Sequence, residues 1–393
     1  MVAPLIEPDM TSTPVPPVPN PLSGFPPADI RRLVIKIGSA LLVDPAGEVR
    51  MDWLRTLVAD VACRKQAGQQ IIIVSSGAIA LGARRLKLPK GGRGSLEDAQ
   101  AAAATGQIAL SQCWAALLQD QGITAAQMLV TLDDLEHRRR YLNASATLER
   151  LMALDVVPVV NENDSVATAE IRFGDNDRLA ARIGQAARAD AVVLLSDVDG
   201  LYTANPHADA DAMLIETIER IDARIAAMAD SGSASGMGSG GMTSKIEAAR
   251  IATGAGAHLA IISGKVDAPL SEWEKGGRGS IFLAAPAKRA RKGWLAGRLT
   301  VRGRIFVDAG AEKALGKGNS LLPAGVSRIE GIFARGDVVD ILAEDGRVIA
   351  RGLSEYDSEE AARIAGKRSE DIATLLGHLP RSVLVHRDHL AMV

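Results

Sequence analysis

From Leu33 to about Ala285, short and nearly continuous apolar runs alternate with helical patterns, and that alternation constrains the fold more than any other feature of the chain. The runs are LVIKI (33 to 37), IIIV (71 to 74), QMLV (127 to 130), VVPVV (156 to 160), AVVLL (191 to 195) and LAII (259 to 262), all rich in β-branched residues. A strand wetted on one face alternates apolar and polar side chains. These runs do not alternate, so they predict strands covered on both faces. Between them lie amphipathic stretches such as Asp52 to Gln66, closed by Gly68, and Asp134 to Leu154. Strand and helix in regular succession predict an α/β domain over residues 30 to 290, an open, mainly parallel sheet sandwiched by helices.

Two further segments follow a different grammar. Residues 1 to 28 hold 9 of the 17 prolines and no Lys or Arg, so residues 1 to 29 read as a disordered, partly polyproline II leader outside the fold. A passive tail is the plain reading, and a ligand for a proline-binding domain the other. From Arg302 onward come short alternating runs broken by glycine, RIFVD, GVSRIEGIFARGDVVDILAEDGRVIARGL and SVLVHRD, with one helical stretch around Ser358 to Ala365. They predict a small β-rich second domain over 300 to 393, with the boundary within 286 to 301.

Composition excludes several function classes. The chain has 393 residues, 47% of them hydrophobic, enough for two ordinary cores. Its net charge of -2 argues against nucleic-acid binding through bulk charge. The C-terminal segment from Arg298 balances 14 Lys plus Arg against 14 Asp plus Glu with no basic stripe, so nucleic acid is not an expected partner. Cys63 and Cys113 are the only cysteines and lack metal-site or disulfide spacing. No uncharged apolar run approaches the roughly 20 residues of a membrane helix, and the N-terminus lacks a secretion signal. A soluble protein of the reducing cytoplasm is expected.

In doubly wound sheets, ligands bind beyond the carboxyl ends of the strands. The first run leads into VIKIGSALL, where Lys36 lies inside an apolar strand. A buried lysine is expensive unless it faces an anion, although a strand-edge lysine reaching water fits the same letters. The second leads through Ser75, Ser76 and Gly77 into a helix whose first N–H groups favour an anion, or whose serine is a plain cap. The fourth opens into NENDSVATAEIRFGDND, with Asn161, Glu162, Asn163, Asp164, Asp175, Asn176 and Asp177 in nineteen residues. That is more than capping needs. Carboxylates can hold an ammonium or orient lysines, and amides can hold a carboxylate. Calcium is the rival reading, but the alternating ligands and final glutamate of an EF-hand are missing. The fifth ends at Ser196 and Asp197. A glycine and serine loop from Ser231 to Met242 then feeds Lys245, either wrapping phosphates or serving as a linker; it is not a P-loop. Two lysines from distant positions suit phosphoryl transfer, where cations around the moving group matter more than an acid or base.

Taken in order, VIKIGSALL, VSSGAIALG, VVNENDSVATAEIRFGDND, LLSDVDGLYTANP and SGMGSGGMTSK resemble the amino acid kinase family, and the NEND and GDND pair resembles its glutamate 5-kinase branch. The similarity runs from about Leu33 to the C-terminus, whose last part resembles a PUA domain. Ser75 and Ser196 stand where many relatives have threonine, and GSGGM stands for GTGGM; each swap keeps a hydroxyl. The resemblance implies ATP-dependent phosphorylation of the γ-carboxylate of L-glutamate, the first step of proline synthesis. It implies glutamate contacts at Ser76, Asp164 and Asn176, with Gly77 and Asn161 beside them. Nucleotide contacts would fall on Lys36, Ser196, Asp197 and the stretch Ser239, Gly240, Gly241, Met242, Thr243, Ser244 and Lys245. Lys36 and Lys245 would neutralise the moving phosphoryl group, Asp177 would hold the lysines, and Asp175 would support the site. Mg²⁺ would ride on the ATP phosphates, with no protein side chain assigned to it. Proline is implied as a feedback inhibitor, acting through the loop from Val166 to Gly174 with Glu170, and the assembly as a dimer or tetramer. The rivals are an acetylglutamate, uridylate or aspartate kinase, and an RNA-binding PUA protein.

Overall fold

The computed structural model describes residues 24–44, 46–166, 176–206, 208–230, 241–285, 301–376 and 383–392. The expected contributions of Asp175, Ser239, Gly240 and Glu170 lie outside the described residues, as do residues 1 to 23 and the boundary segment 286 to 300.

The six apolar runs are strands. In chain order the first elements are β1 (Arg32–Ile37), α1 (Ser39–Leu42), α2 (Met51–Gln66), β2 (Gln70–Val74), α3 (Ala78–Arg85), α4 (Leu96–Asp120), β3 (Ala125–Val130), α5 (Leu132–Glu136), α6 (Arg138–Ala153) and β4 (Val157–Glu162). They continue with α7 (Asn176–Ala187), β5 (Ala191–Ser196), β6 (Thr217–Ile218), α8 (Ala223–Asp230), α9 (Met242–Ala255), β7 (His258–Ser263), α10 (Pro269–Glu274) and β8 (Gly279–Phe282). The sheet order is β3-β4-β2-β1-β5-β7-β8-β6. From β3 to β7 every pairing is parallel; only the β7 to β8 pair is antiparallel.

Both faces of this sheet are covered, which is why its strands do not alternate. Val34, Ile72, Val74, Val192 and Leu194 pack on one face with Leu179 and Ile183 of α7 and Ile246 of α9. Leu33, Ile35, Ile71, Ile73, Val193 and Leu195 pack on the other with Leu54 and Leu57 of α2 and Trp114 of α4. Lys36 shares the parity of Val34, so β-strand geometry aims it at the face that bears α7 and α9.

Three expectations need correction. The stretch Asp134 to Leu154 is two helices, because the Asp134 carboxylate turns back to accept from the Thr131 N–H and hydroxyl and so closes the first turn of α5. His137 then takes an extended conformation before α6 begins. Secondly, chain assigned to the leader is packed. Phe25 is fully buried, its carbonyl accepts from Arg64 and Gln69, and its ring meets Trp273 edge-on at 5.1 Å. Full burial of a phenylalanine contributes roughly 1.5–3 kcal/mol, which explains why chain this rich in proline is held from Gly24 onward. Thirdly, Gly77, not a serine, occupies the cap position of α3, with φ of 98° and no side-chain cap bond.

The C-terminal part is a five-stranded sheet built from β9 (Val301–Val307), β10 (Val326–Gly331), β11 (Val338–Ala343), β12 (Val348–Ser354) and β13 (Val385–Met392), in the order β10-β9-β11-β12-β13. It has its own core around Ile305, Ile341, Tyr356 and Leu384. It is flanked by α11 (Ala309–Gly316), α12 (Ser358–Ile364) and α13 (Ser369–Leu376); the sequence reading anticipated only α12. Val338 and Leu353 leave that core to join the larger domain, and Arg335 Nη1 lies 2.5 Å from Asn143 Oδ1 on α6.

Candidate active site

Four strands end side by side, and the side chains at their carboxyl ends converge with the first turns of α7 and α9. The sheet order reverses around β1, since β2 lies on one side of it and β5 on the other, and such switch points leave a crevice at the strand ends.

Three charges form the centre. Asp177, in the first turn of α7, reaches Lys36 of β1 through Oδ1 at 2.5 Å and Lys245 of α9 through Oδ2 at 3.0 Å. Relative exposures of 7% for Lys36, 1% for Asp177 and 5% for Lys245 rule out three solvated surface charges. Burial alone would push the Asp177 carboxyl up, but the two lysines outweigh it and hold the group below the ordinary carboxylate range. The helix N-terminus works in the same direction. Among the described residues these three side chains carry two positive charges against one negative, an arrangement that suits an additional anion.

A second, uncharged group lies beside it. Asn176 Nδ2 donates to the Ser75 carbonyl at 2.9 Å, to Ser76 Oγ at 2.7 Å and to Asn161 Oδ1 at 3.2 Å. Asn161 Oδ1 also accepts from the Glu162 N–H at 2.9 Å, and Asn161 Nδ2 donates to Gln107 Oε1 at 2.7 Å. Trp114 Nε1 donates to Ser75 Oγ at 2.9 Å. Gln107 and Trp114 both belong to α4, which therefore buttresses the ends of β2 and β4. Among the described residues nothing donates to Asn176 Oδ1, although the residue is only 4% exposed. An unmet buried acceptor at the edge of a crevice is a place for a donor on a ligand.

Asp164 lies in the turn after β4, partly buried, and makes no hydrogen bond to this amide group among the described residues. Burial pushes its carboxyl up to about 6, and the positive charge of Arg93 opposes the shift. Ser196 and Asp197 end β5 with Ser196 Oγ 3.1 Å from Asp197 Oδ1, and neither bonds the lysines among the described residues. Gly241 precedes α9, whose first turn brings Met242, Thr243 and Ser244 next to Lys245. Gly38 leaves open the space beside Lys36 Nζ, where a side chain would approach the ammonium. Among the described residues no group of three or more His, Cys, Asp or Glu is placed to hold a metal ion. No described helix is long and apolar enough to cross a membrane.

The structure thus joins Lys36, Lys245 and Asp177, and separately Ser76, Asn161 and Asn176. Asp164, Ser196 and Asp197 bond to neither group among the described residues. Gln107 and Trp114 went unnoticed in the sequence, because single polar or aromatic residues in an alanine-rich stretch give no signal of what they touch.

Comparison with known proteins agrees with this geometry. The amino acid kinase family pattern matches residues 31–263 and the PUA domain pattern residues 303–376. A glutamate 5-kinase of Sphingopyxis alaskensis is 66% identical over 372 residues, 95% of this chain and 100% of that protein. One from Zymomonas mobilis is 63% identical over 369 residues, 94% of this chain and 93% of that protein. Another, from Novosphingobium aromaticivorans, is 58% identical over 362 residues, 92% and 96% of the two chains. With a family pattern spanning most of the sheet and relatives alike over nearly their whole length, the chain belongs to the amino acid kinase family, among the glutamate 5-kinases, with a C-terminal PUA domain.

Proposed function

We propose that the protein transfers the γ-phosphoryl group of ATP to the γ-carboxylate of L-glutamate, giving L-glutamyl 5-phosphate for proline synthesis. The observation that carries this reading is the buried Lys36, Asp177 and Lys245 cluster beside the Ser76, Asn161 and Asn176 group at the same strand ends.

The chemistry asks for such a site. A glutamate carboxylate is ionised at neutral pH, so its oxygen attacks phosphorus without a general base. A carboxyl O–P bond forms, the bond from phosphorus to the β,γ-bridging oxygen breaks, and ADP leaves with that electron pair. The obstacle is repulsion between anions, together with charge on the oxygens of the moving group. Lys36 and Lys245 meet that charge from β1 and α9, and Asp177 sets both ammonium groups before substrates arrive. Asp175 supports that centre in the same reading. Ser196, Asp197 and the stretch from Ser239 to Ser244 hold the nucleotide, whereas Ser76, Gly77, Asn161, Asp164 and Asn176 hold glutamate. In this reading the metal arrives on the nucleotide, held by its phosphates rather than caged by protein side chains. Bound there, Mg²⁺ would supply further positive charge against the phosphates.

The same reading puts the protein in the cytoplasm, as a dimer or tetramer inhibited by proline at the rim of the glutamate pocket. An assay that traps acyl phosphate with hydroxylamine, run with glutamate and N-acetylglutamate and with a proline titration, tests it. Hydroxamate is expected from glutamate alone and is expected to fall as proline is added. Product from N-acetylglutamate instead would overturn the substrate assignment.

A further inference from the structure

The polarity of the amide group deserves an explanation, because an asparagine presents either an acceptor or a donor depending on which way its amide turns. Here two backbone groups decide it. The Glu162 N–H can only donate, so the Asn161 atom facing it at 2.9 Å is the oxygen. The Ser75 carbonyl can only accept, so the Asn176 atom facing it at 2.9 Å is the nitrogen. Asn161 Nδ2 is thereby turned toward α4, where it needs an acceptor inside a nearly closed site, since Asn161 is 2% exposed. Gln107 Oε1 supplies that acceptor at 2.7 Å.

We propose that Gln107, on α4, is a positioning residue for the amino acid pocket: it locks the amide of Asn161, and through it that of Asn176, so that Asn176 presents oxygen to the substrate. This rests on the reading of the site as an amino acid pocket and goes beyond it. The polarity matters because the two possible orientations select opposite groups. An Asn176 oxygen accepts from a substrate ammonium; an Asn176 nitrogen would donate to a carboxylate. With Gln107 removed, Asn161 Nδ2 is left without an acceptor in a nearly closed site, so the Asn161 amide reaches another only by shifting, and the shift draws its Oδ1 away from the Glu162 N–H and from Asn176 Nδ2. Asn176 then loses one of the partners that hold its own amide. Among the described residues Gln107 bonds neither lysine, and its tie to the site runs through Asn161.

The test uses the full chain with Gln107→Leu, which cannot accept a hydrogen bond, and Gln107→Glu, which accepts as glutamine does. Hydrogen bonds behind a ligand-contacting group typically carry about 10- to 100-fold in binding or activity. Gln107→Leu is expected to raise the KM for glutamate by about tenfold or more with the KM for ATP and the thermal midpoint near those of the parent. Gln107→Glu is expected to return most of the glutamate KM. Should Gln107→Leu fail to fold, Gln107→Ala, easily accommodated in an alanine-rich helix, is measured in its place with the same two outcomes. A normal glutamate KM in the variant, a parallel loss of ATP affinity and stability, or a Gln107→Glu protein as impaired as Gln107→Leu would each overturn the relay. An active parent with a kinetically normal variant sinks the relay alone, whereas a parent inactive on glutamate removes both the relay and the reading beneath it.

Discussion

Asp177 is shared between two lysines, with Lys36 Nζ 2.5 Å from one carboxylate oxygen and Lys245 Nζ 3.0 Å from the other. Replacing it by asparagine removes the carboxylate that the two buried ammonium groups share. Breaking a buried pair in this way typically costs about 3–5 kcal/mol. Asp177→Asn should therefore lower both turnover and the urea midpoint, and ATP should recover more of the lost stability in the variant than it adds in the parent. Equal midpoints for the two apo proteins would contradict the shared-carboxylate account.

Lys245→Ala removes one cation but leaves the Lys36 pair with Asp177 in place, so the fold should persist. A charge clamp on the transition state typically supplies about 3 kcal/mol or more, which corresponds to a loss of kcat of about a hundredfold or more. Turnover measured on protein shown to be folded by circular dichroism checks this. A kcat close to that of the parent would remove Lys245 from the chemistry.

Asp164 makes a prediction in pH. Its carboxyl is raised to about 6 from 3.8 by burial, against the opposing charge of Arg93. A raised carboxyl pKa favours the protonated form in the folded state, so its contribution to stability is complete below about pH 4 and is lost as pH rises through 6. Binding follows the opposite sign, because only the ionised carboxylate can hold a substrate ammonium. The glutamate KM should rise by about tenfold between pH 7.5 and pH 5. In Asp164→Asn the KM should be high throughout and nearly flat. The same variant should be more stable than the parent at pH 7, by on the order of 1–3 kcal/mol, since no carboxylate is buried. A parent KM that ignores pH would move the ammonium contact elsewhere.

Helices α3 and α4 cross where neither has a side chain. A Cβ at Gly106 would run into the Ala78 carbonyl oxygen, and one at Gly82 into that of Ala102. Overpacking of this kind costs about 1–3 kcal/mol. Gly106→Ala should therefore lower stability and, because α3 follows Ser76 and α4 carries Gln107, weaken glutamate binding as well. Paired denaturation and KM measurements test the coupling; a destabilised variant with a normal glutamate KM would separate the crossing from the pocket.

Much of this was legible in the letters because burial on two faces leaves a coarse mark. Val34, Ile72 and Val192 needed only to be apolar to announce central strands, and Lys36 stood out against them. The edge strand β6 and its neighbour β8 were not legible, being two and four residues long. Helix α4 showed only as a helix-like apolar stretch around Cys113, because alanines fill most of its faces and blur the 3.6-residue period. Within the site, the lysines and the amide-rich burst declared themselves by type and crowding. The partnership of Asn161 with Gln107, 54 positions apart, depends on how α4 lies across the strand ends, and no local pattern encodes that.

The packing of Phe25 sets practical terms for anyone handling the protein. Its carbonyl is held by Arg64 at the end of α2 and by Gln69 just before β2, at the amino-terminal edge of the sheet and away from the lysines. A purification tag or fluorophore put in place of the chain ahead of Gly24 would accordingly join the protein at that edge of the sheet. Trimming past that glycine would instead uncork the wall formed with Trp273 and invite water into the interior.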